Sequence, residues 1–236
     1  MMLKELTAFN AGVPVQGVKF YLAEENTFLI ASRRPLRVLS SAVLGGKRRR
    51  ARFIFNHTVD KNYSSDDPAG DLARLAKKLD LGEQVLGLMT AVDVRHTVMS
   101  VGARAGLAVV ALGTVGVGNA CSAGRMSPAQ HDANAPGTIN LVVLIEGNLS
   151  EAAMVNAVIT ATEAKTMALF QAGVRLGDGS MATGTTTDAV VIACTGRGES
   201  YHYAGAATAP GSLIGRTVYR SVTRGISDYF KATGKR

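Results

Sequence analysis

The sequence predicts one domain of the mixed α/β class, with α+β as the alternative: a mixed, largely antiparallel sheet covered by about three main helices. Two uncharged runs rich in β-branched residues, 139–145 and 189–194, indicate buried strands. A helical pattern of about twenty residues follows the first run. With 236 residues, 47% of them apolar, the chain is long enough for one sizeable core, so residues 1–236 are interpreted as a single domain.

The chain is organised around residues 137–169, where a buried strand leads into this long helix. Ser150 stands where a helix N-cap belongs, because its hydroxyl can accept a hydrogen bond from a free amide of the first turn. Leu149 before it and Met154 after it have the spacing of a hydrophobic staple. The sequence therefore predicts a strand–helix unit with a defined junction.

A lysine falls within the apolar face of this helix. On a helical wheel Lys165 shares the arc of Val155 and Ile159, whereas Glu163 and Thr160 lie on the opposite side. Burial of an unpaired ammonium group is costly. Lys165 is therefore expected either to extend to water at the helix end or to meet an acidic partner.

The remaining elements follow from alternation, glycine turns and capping residues. A helix is predicted to begin at Asp67-Pro68 and stop at Gly82. The other predicted elements are two strands within 18–39, strands at 52–59, 85–91 and 105–112, and a closing helix at 213–230.

Charge and cysteine content limit the function classes. The net charge of +8 is concentrated in two basic groups, one at residues 33–37 and one at 47–52, which suit either a solvated loop or an anionic ligand. Nucleic-acid binding is disfavoured, because neither a recognised motif nor a set of stacking aromatics accompanies them. No segment predicts a membrane span or a secretory signal. Two cysteines without a motif favour a reduced, cytoplasmic protein.

Two segments rich in small residues are candidates for a site. Residues 113–124 contain several glycines, which place the backbone close to another segment or to a ligand, yet their spacing fits neither a dinucleotide fingerprint nor a phosphate loop. In residues 183–189 three threonines precede Asp188 at the mouth of a buried strand. Such an acid either accepts from nearby amides or orients a nucleophile or a water.

Taken together, these motifs resemble the adenosylcobinamide amidohydrolase family over about residues 40–225. The matching motifs, in order, are GLMTA at 87–91, GVGNA at 116–120, GTIN at 137–140, TEAKT at 162–166, TGTTTDA at 183–189 and LIGR at 213–216. The resemblance implies a corrinoid-salvage hydrolase that cuts the amide between the corrin ring and the aminopropanol arm of adenosylcobinamide. The products would be adenosylcobyric acid and 1-amino-2-propanol. Without a Walker A motif, the chain is expected to be the form not fused to a transporter ATPase.

The working hypothesis is a metal-free site. Glu163 or Asp188 acts as general base on water, and Lys165 stabilises the oxyanion or protonates the leaving amine. The backbone amides of Gly118 and Asn119, or the side chain of Asn119, supply oxyanion donors. On this hypothesis Glu163→Gln is expected to abolish turnover and leave the fold intact.

A second mechanism makes Thr185 or Thr186 the nucleophile, with self-cleavage as one version of it. Seven residues are candidates for contacts with the substrate: His57, Asp93, His96, Gly118, Asn140, Thr185 and Thr187. Among them, His57 is a candidate for approaching cobalt or the adenosyl group, and an ordinary strand histidine is the alternative.

No further cofactor is expected, since the substrate itself carries cobalt. The four histidines (His57, His96, His131 and His202) are too scattered to indicate a catalytic metal site. The expected partner is a small-molecule corrinoid, with no nucleic acid and no membrane, and a homo-oligomer is left open. The alternative function is a corrinoid-binding protein without catalysis.

Overall fold

A computed structural model describes residues 3–24, 26–125 and 137–234 as a curled mixed sheet with helices on both sides. The strands are β1 (Leu3–Glu5), β2 (Val18–Ala23), β3 (Thr27–Ser40), β4 (Arg50–Thr58), β5 (Val85–Thr90), β6 (Val98–Arg104), β7 (Leu107–Val115), β8 (Ala120–Cys121), β9 (Ile139–Glu146), β10 (Asn148–Leu149), β11 (Gly184–Thr185), β12 (Ala189–Cys194) and β13 (Ser200–Tyr201). The helices are α1 (Thr7–Asn10), α2 (Pro68–Lys78), α3 (Glu151–Gln171) and α4 (Ala209–Thr233), with a 3₁₀ turn at Val94–His96.

The main sheet of the described residues is largely antiparallel, as predicted. Its strands run in the order β1-β2-β3-β12-β9-β7-β6, and β4 pairs with both β3 and β5. Within it, β9–β12 and β4–β5 are the parallel pairs. Two short ribbons, β10–β13 and β8–β11, lie outside it. The α/β class and the three long helices α2, α3 and α4 are confirmed.

The central strand β9 separates two hydrophobic cores. Alternate side chains of a strand point to opposite faces of the sheet. Leu141 and Val143 therefore pack beneath α3 and α4, whereas Val142 and Leu144 pack against the curled half of the sheet formed by β2 to β5. Burial on both faces explains why the sequence of this strand is continuously apolar.

Helix α2 covers the outer face of β3, β4 and β5. Asp67 caps it by accepting from the amide of Gly70, and Pro68 occupies the first turn, as the sequence predicts. Leu72 packs with Leu29 and Phe55 to form a third core.

Helix α3 begins where the sequence predicts and buries a different face. The Ser150 hydroxyl accepts from the amide of Ala153, which confirms the cap. Val155 and Ile159, expected to be inside, are each 50% exposed, whereas Thr160 is buried and donates to the carbonyl of Ala204. The wheel was wrong here because α4 packs on the face that carries the small residues and Thr160, and a threonine is readily buried once its hydroxyl is satisfied.

The sequence pattern does not predict strand β6, and β7 begins two residues later than predicted. The two strands form a hairpin whose turn is Ala105-Gly106, both with positive φ. Strand β6 is largely exposed and lies at the sheet edge, so its sequence lacks a clear alternation. Helix α4 begins at Ala209, four residues earlier than predicted, since Thr208 caps it and Pro210 lies in its first turn. No helix within the described residues is long and apolar enough to span a membrane.

Candidate active site

Lys165 and Asp188 form a buried ion pair at the edge of the sheet where β9 and β12 begin. The Nζ atom of Lys165 donates to Oδ2 of Asp188, and the two side chains are 8% and 14% exposed. The buried lysine therefore has an acidic partner, the second of the two outcomes expected from the sequence. Removing one member of such a pair leaves an uncompensated buried charge, which is strongly destabilising.

Four donors surround the carboxylate of Asp188. Besides Lys165, the backbone amides of Thr185 and Ile139 each donate to it at 3.1 Å, and the hydroxyl of Thr185 donates to Oδ1. An ionised carboxylate offers about four acceptor positions, so these donors leave none for a water. The acid is thus placed to act on the Thr185 hydroxyl rather than on solvent.

The two-stranded ribbon β8–β11 brings Thr185 to this pair. Gly184 lies opposite Cys121 in the ribbon, and Thr185 lies opposite Ala120. A Cβ atom on Gly184 would lie 2.6 Å from Oδ2 of Asp188 and 2.8 Å from Nζ of Lys165. Only glycine allows the ribbon to close over the ion pair this tightly.

Gly184→Ala is expected to displace the ion pair, lower stability by about 1–3 kcal/mol as overpacked cores do, and reduce activity. The matched control is Gly177→Ala, since a Cβ there meets nothing within 4 Å. Thermal unfolding of both variants measures the effect. Equal melting temperatures for the two would show that the ribbon does not pack on the pair.

Asn119, Thr186 and Thr187 form a second polar group, which lies closer to solvent than the group around Asp188. The side-chain Nδ2 of Asn119 donates to the hydroxyl of Thr186 at 2.8 Å, while its buried Oδ1 has no partner among the described residues. The hydroxyl of Thr187 donates to the carbonyl of Gly137 at 3.2 Å. Thr186, Thr187 and Gly118 are exposed, so they form the accessible rim of the site.

Glu163 lies outside this cluster, which corrects its assignment as a candidate base. Residues two apart on a helix are rotated by about 200°, so Glu163 points away from Lys165. Its side chain is exposed on the solvent face of α3. Glu163→Gln is therefore expected to retain turnover, contrary to the sequence-based hypothesis.

Asn140 is a structural residue in this fold rather than a free contact for substrate. It is 2% exposed, and its Nδ2 donates to Oδ1 of Asn56 at 3.0 Å and to the carbonyl of Met89 at 2.7 Å. Asn56 in turn donates to the Thr114 hydroxyl. This buried network ties β4, β5, β7 and β9 together behind the site.

His57 lies on the α2 side of β4, because it alternates with the inward-facing Asn56. Its Nδ1 is 2.8 Å from the hydroxyl of Thr27, its cross-strand neighbour. Burial lowers the pKa of His57 below its ordinary value of 6.5. The structure thus places it apart from the Lys165–Asp188 pair.

This lowered pKa predicts a loss of stability on acidification. Below about pH 6.5 the unfolded chain binds a proton at His57 before the folded chain does, so the free energy of unfolding falls as pH falls. His57→Asn is expected to flatten the decline in melting temperature between pH 7 and pH 5. Parallel profiles for the variant and the parent protein would refute this assignment.

The structure separates Asp93 from His96. Asp93 forms a bidentate pair with Arg95, which lowers the pKa of the carboxyl, and it lines a cavity of about 580 Å³ together with Asn26 and Thr58. His96 is exposed and lines a different cavity beside α4. Asp93 lies shortly after the end of β5 and caps the 3₁₀ turn that follows by accepting from the amide of Arg95.

Within 3–24, 26–125 and 137–234, no group of three His, Cys, Asp or Glu side chains is arranged to hold a metal ion. His131 lies outside the described residues. Cys121 was not identified as a site residue, although it lies next to the ion pair. Burial, and then the charge of Asp188, raises the pKa of its thiol. Strands of two residues give no periodic signal, so the sequence could not reveal this ribbon.

Comparison with known proteins identifies the family. Residues 13–234 match the sequence profile of a family described as adenosylcobinamide amidohydrolase. An adenosylcobinamide amidohydrolase of Methanosarcina mazei is 32% identical over 201 residues, which cover 79% of this chain and 88% of that protein. Another, from Halobacterium salinarum, is 41% identical over 88 residues, covering 37% of this chain and 35% of that protein.

Among solved structures, a beta-aminopeptidase from a Burkholderia species aligns with a TM-score of 0.41 at 10% identity, covering 89% of this chain and 87% of that one. A superposition this loose carries no information about activity. The sequence match, in contrast, extends over most of the chain. The chain therefore belongs to the adenosylcobinamide amidohydrolase family.

Proposed function

We propose that this chain hydrolyses the amide that joins the corrin ring to the aminopropanol arm of adenosylcobinamide. The products are adenosylcobyric acid and 1-amino-2-propanol, so the enzyme serves corrinoid salvage. Family membership supports this reaction. The observation that carries the mechanism is the hydrogen bond from the Thr185 hydroxyl to Asp188, whose other oxygen accepts from Lys165.

In the first half-reaction Thr185 is the nucleophile. Its Oγ1 forms a bond to the amide carbon while Asp188 takes the hydroxyl proton, which is the nucleophile–base arrangement of covalent catalysis. The C–N bond breaks, and the leaving nitrogen takes up a proton from the Asp188–Lys165 pair. The result is free 1-amino-2-propanol and an ester between Thr185 and the corrin carboxyl carbon.

Water completes the reaction by the same route. It adds to the ester carbon and gives its proton to Asp188, to which the esterified Thr185 no longer donates, and the C–Oγ1 bond then breaks. Thr185 regains its hydrogen and adenosylcobyric acid leaves. The proposal uses protein side chains alone, and the four donors to Asp188 favour it over direct activation of water by that carboxylate.

Backbone amides at the rim supply the oxyanion donors. Neither the amide of Gly118 nor that of Asn119 donates to another atom of the described chain. Asn119 lies against Thr186, the residue after the proposed nucleophile. Preorganised donors of this kind stabilise the charge that develops on the carbonyl oxygen.

The cavity that Asp93 lines is the proposed site for the amide arms of the corrin. It is polar, because Asn26, Thr58 and Asp60 also line it. Val92, the residue before Asp93, packs against Gly116, where an added Cβ would meet the Val92 side chain at 2.6 Å. Acidic and amide oxygens there can accept hydrogen bonds from carboxamide N–H groups.

A single assay tests the function. Purified protein is incubated with adenosylcobinamide, with and without a chelator, and the released amino alcohol is quantified. Release of equal amounts in both arms is expected. A changed absorption spectrum of the corrinoid without any released amine would refute hydrolysis and indicate a binding protein.

A further inference from the structure

We propose a second binding site, for a phosphate-bearing small molecule, at the amino end of α3. It is a cavity of about 480 Å³, called here the arginine pocket, lined by Arg37, Arg49, Arg50, Glu151, Met154 and Val155. The proposal does not depend on the hydrolase activity. It accounts for part of the basic groups at 33–37 and 47–52.

The pocket concentrates positive charge that the fold does not neutralise. Arg37 and Arg50 are directly opposite each other on β3 and β4. Like charges at directly opposed positions destabilise a pair of strands. None of the three arginines forms an ion pair with another described residue, and Glu151 is the one acid in the lining. A bound anion would relieve this repulsion.

Arg37 is held in place for such a ligand. Its Nη1 donates to Oδ1 of Asn148 and to the carbonyl of Leu149, both at 2.9 Å. A guanidinium group has five N–H donors, so three remain after these two bonds. A fixed guanidinium matches the paired oxygens of a phosphate better than a freely moving one.

The amino end of helix α3 adds to the positive electrostatic potential in the pocket. The helix begins at Glu151, which lines the pocket together with Ala152. Ser150 caps the amide of Ala153, while the first-turn amides of Glu151 and Ala152 carry the positive end of the helix dipole. An anion beside a helix start and three arginines is stabilised by both.

The size and remaining lining of the pocket indicate an organic phosphate. A volume of about 480 Å³ lies within the range of small-molecule sites. Val155 is half-exposed beside Met154 and offers apolar surface to the rest of the molecule. A concave pocket favours this class over a nucleic-acid strand, since no aromatic side chain of the described residues lines it for a base to stack on.

The pocket and the catalytic cluster are separate. Lys165 lies fourteen positions after Glu151 in α3, a rise of about 21 Å at 1.5 Å per residue. Loss of ligand binding and loss of hydrolysis are therefore distinguishable outcomes.

Titration calorimetry at constant ionic strength tests the proposal with three probes: pyrophosphate, adenosine 5′-monophosphate and adenosine. Saturable binding of the two phosphates, and none of adenosine, is expected. Arg37→Gln/Arg50→Gln should weaken it by about tenfold or more, since each charge-assisted bond contributes on the order of a tenfold change. Arg50→Gln alone should weaken phosphate binding by a smaller factor. Because Arg50 is exposed, this variant is expected to fold, so weaker binding by it cannot be attributed to misfolding.

Arg33→Gln/Arg34→Gln is the matched control, because it also removes two positive charges and both arginines lie on β3 outside the pocket. It should bind both phosphates like the parent protein, and all variants should retain hydrolysis of adenosylcobinamide. Equal weakening by the control pair, binding that does not saturate, or preferential binding of a single-stranded oligonucleotide would each overturn the proposal.

Discussion

Thr185→Val is expected to lower kcat/KM for adenosylcobinamide by about 10³-fold or more, because it removes the proposed nucleophile and leaves the shape nearly unchanged. The loss should fall mainly on kcat, since the hydroxyl acts on the reacting carbon and not on the distant parts of the substrate. Steady-state kinetics on the released amino alcohol measure it.

Two further variants, one at Thr185 itself and one at the next residue, make this result specific. Thr185→Ser keeps a hydroxyl and should retain activity within about tenfold of the parent protein. Thr186→Val loses only a hydroxyl that accepts from Asn119 and should cost less than Thr185→Val. Full activity in Thr185→Val, or a deeper loss in Thr186→Val, would transfer the role of nucleophile to another group.

Lys165→Met is expected to reduce stability by about 3–5 kcal/mol, because it strands the buried charge of Asp188. For a chain of this size that corresponds to a fall in melting temperature of roughly 10 °C. Hydrolysis should be lost with it, since the proton of the leaving nitrogen comes from this pair. Denaturant unfolding and the amine-release assay measure the two effects separately.

The double variant Lys165→Met/Asp188→Asn distinguishes stability from catalysis. Removing both charges should restore much of the lost stability, because no uncompensated ion remains, and it should restore no activity. Glu163→Gln, on the exposed face of the same helix, is the control and should match the parent protein in both measurements. Strong loss of activity in that control would return Glu163 to the site.

The sequence reveals the parts of this site that depend on local patterns. Ser150 as a cap and β12 as a buried strand both follow from short-range rules. The partner of Lys165 could not be derived this way, because it lies 23 residues away and is brought close by the ribbon β8–β11. The helical wheel also placed Val155 and Ile159 on the wrong side. Which face of α3 is buried depends on where α4 packs, and the sequence of α3 alone does not show this.

The substrate contacts show the same limit. From the sequence, Asn140 and His57 are both candidates for substrate contact, and both are polar residues in strands with buried apolar side chains. The structure instead satisfies them internally, with Asn56 and with Thr27. Polar groups inside a core need partners whether or not a ligand exists, so polarity in a strand cannot by itself separate a binding residue from a structural one.

Mass spectrometry of the intact protein, quenched during turnover of adenosylcobinamide in the presence of hydroxylamine, tests the central claim most directly. The account predicts an uncleaved chain of 24.6 kDa, a fraction carrying the corrinoid acyl group on the peptide that contains Thr185, and a corrinoid hydroxamate formed from that ester. Release of adenosylcobyric acid at the full rate, with neither adduct nor hydroxamate, would contradict it.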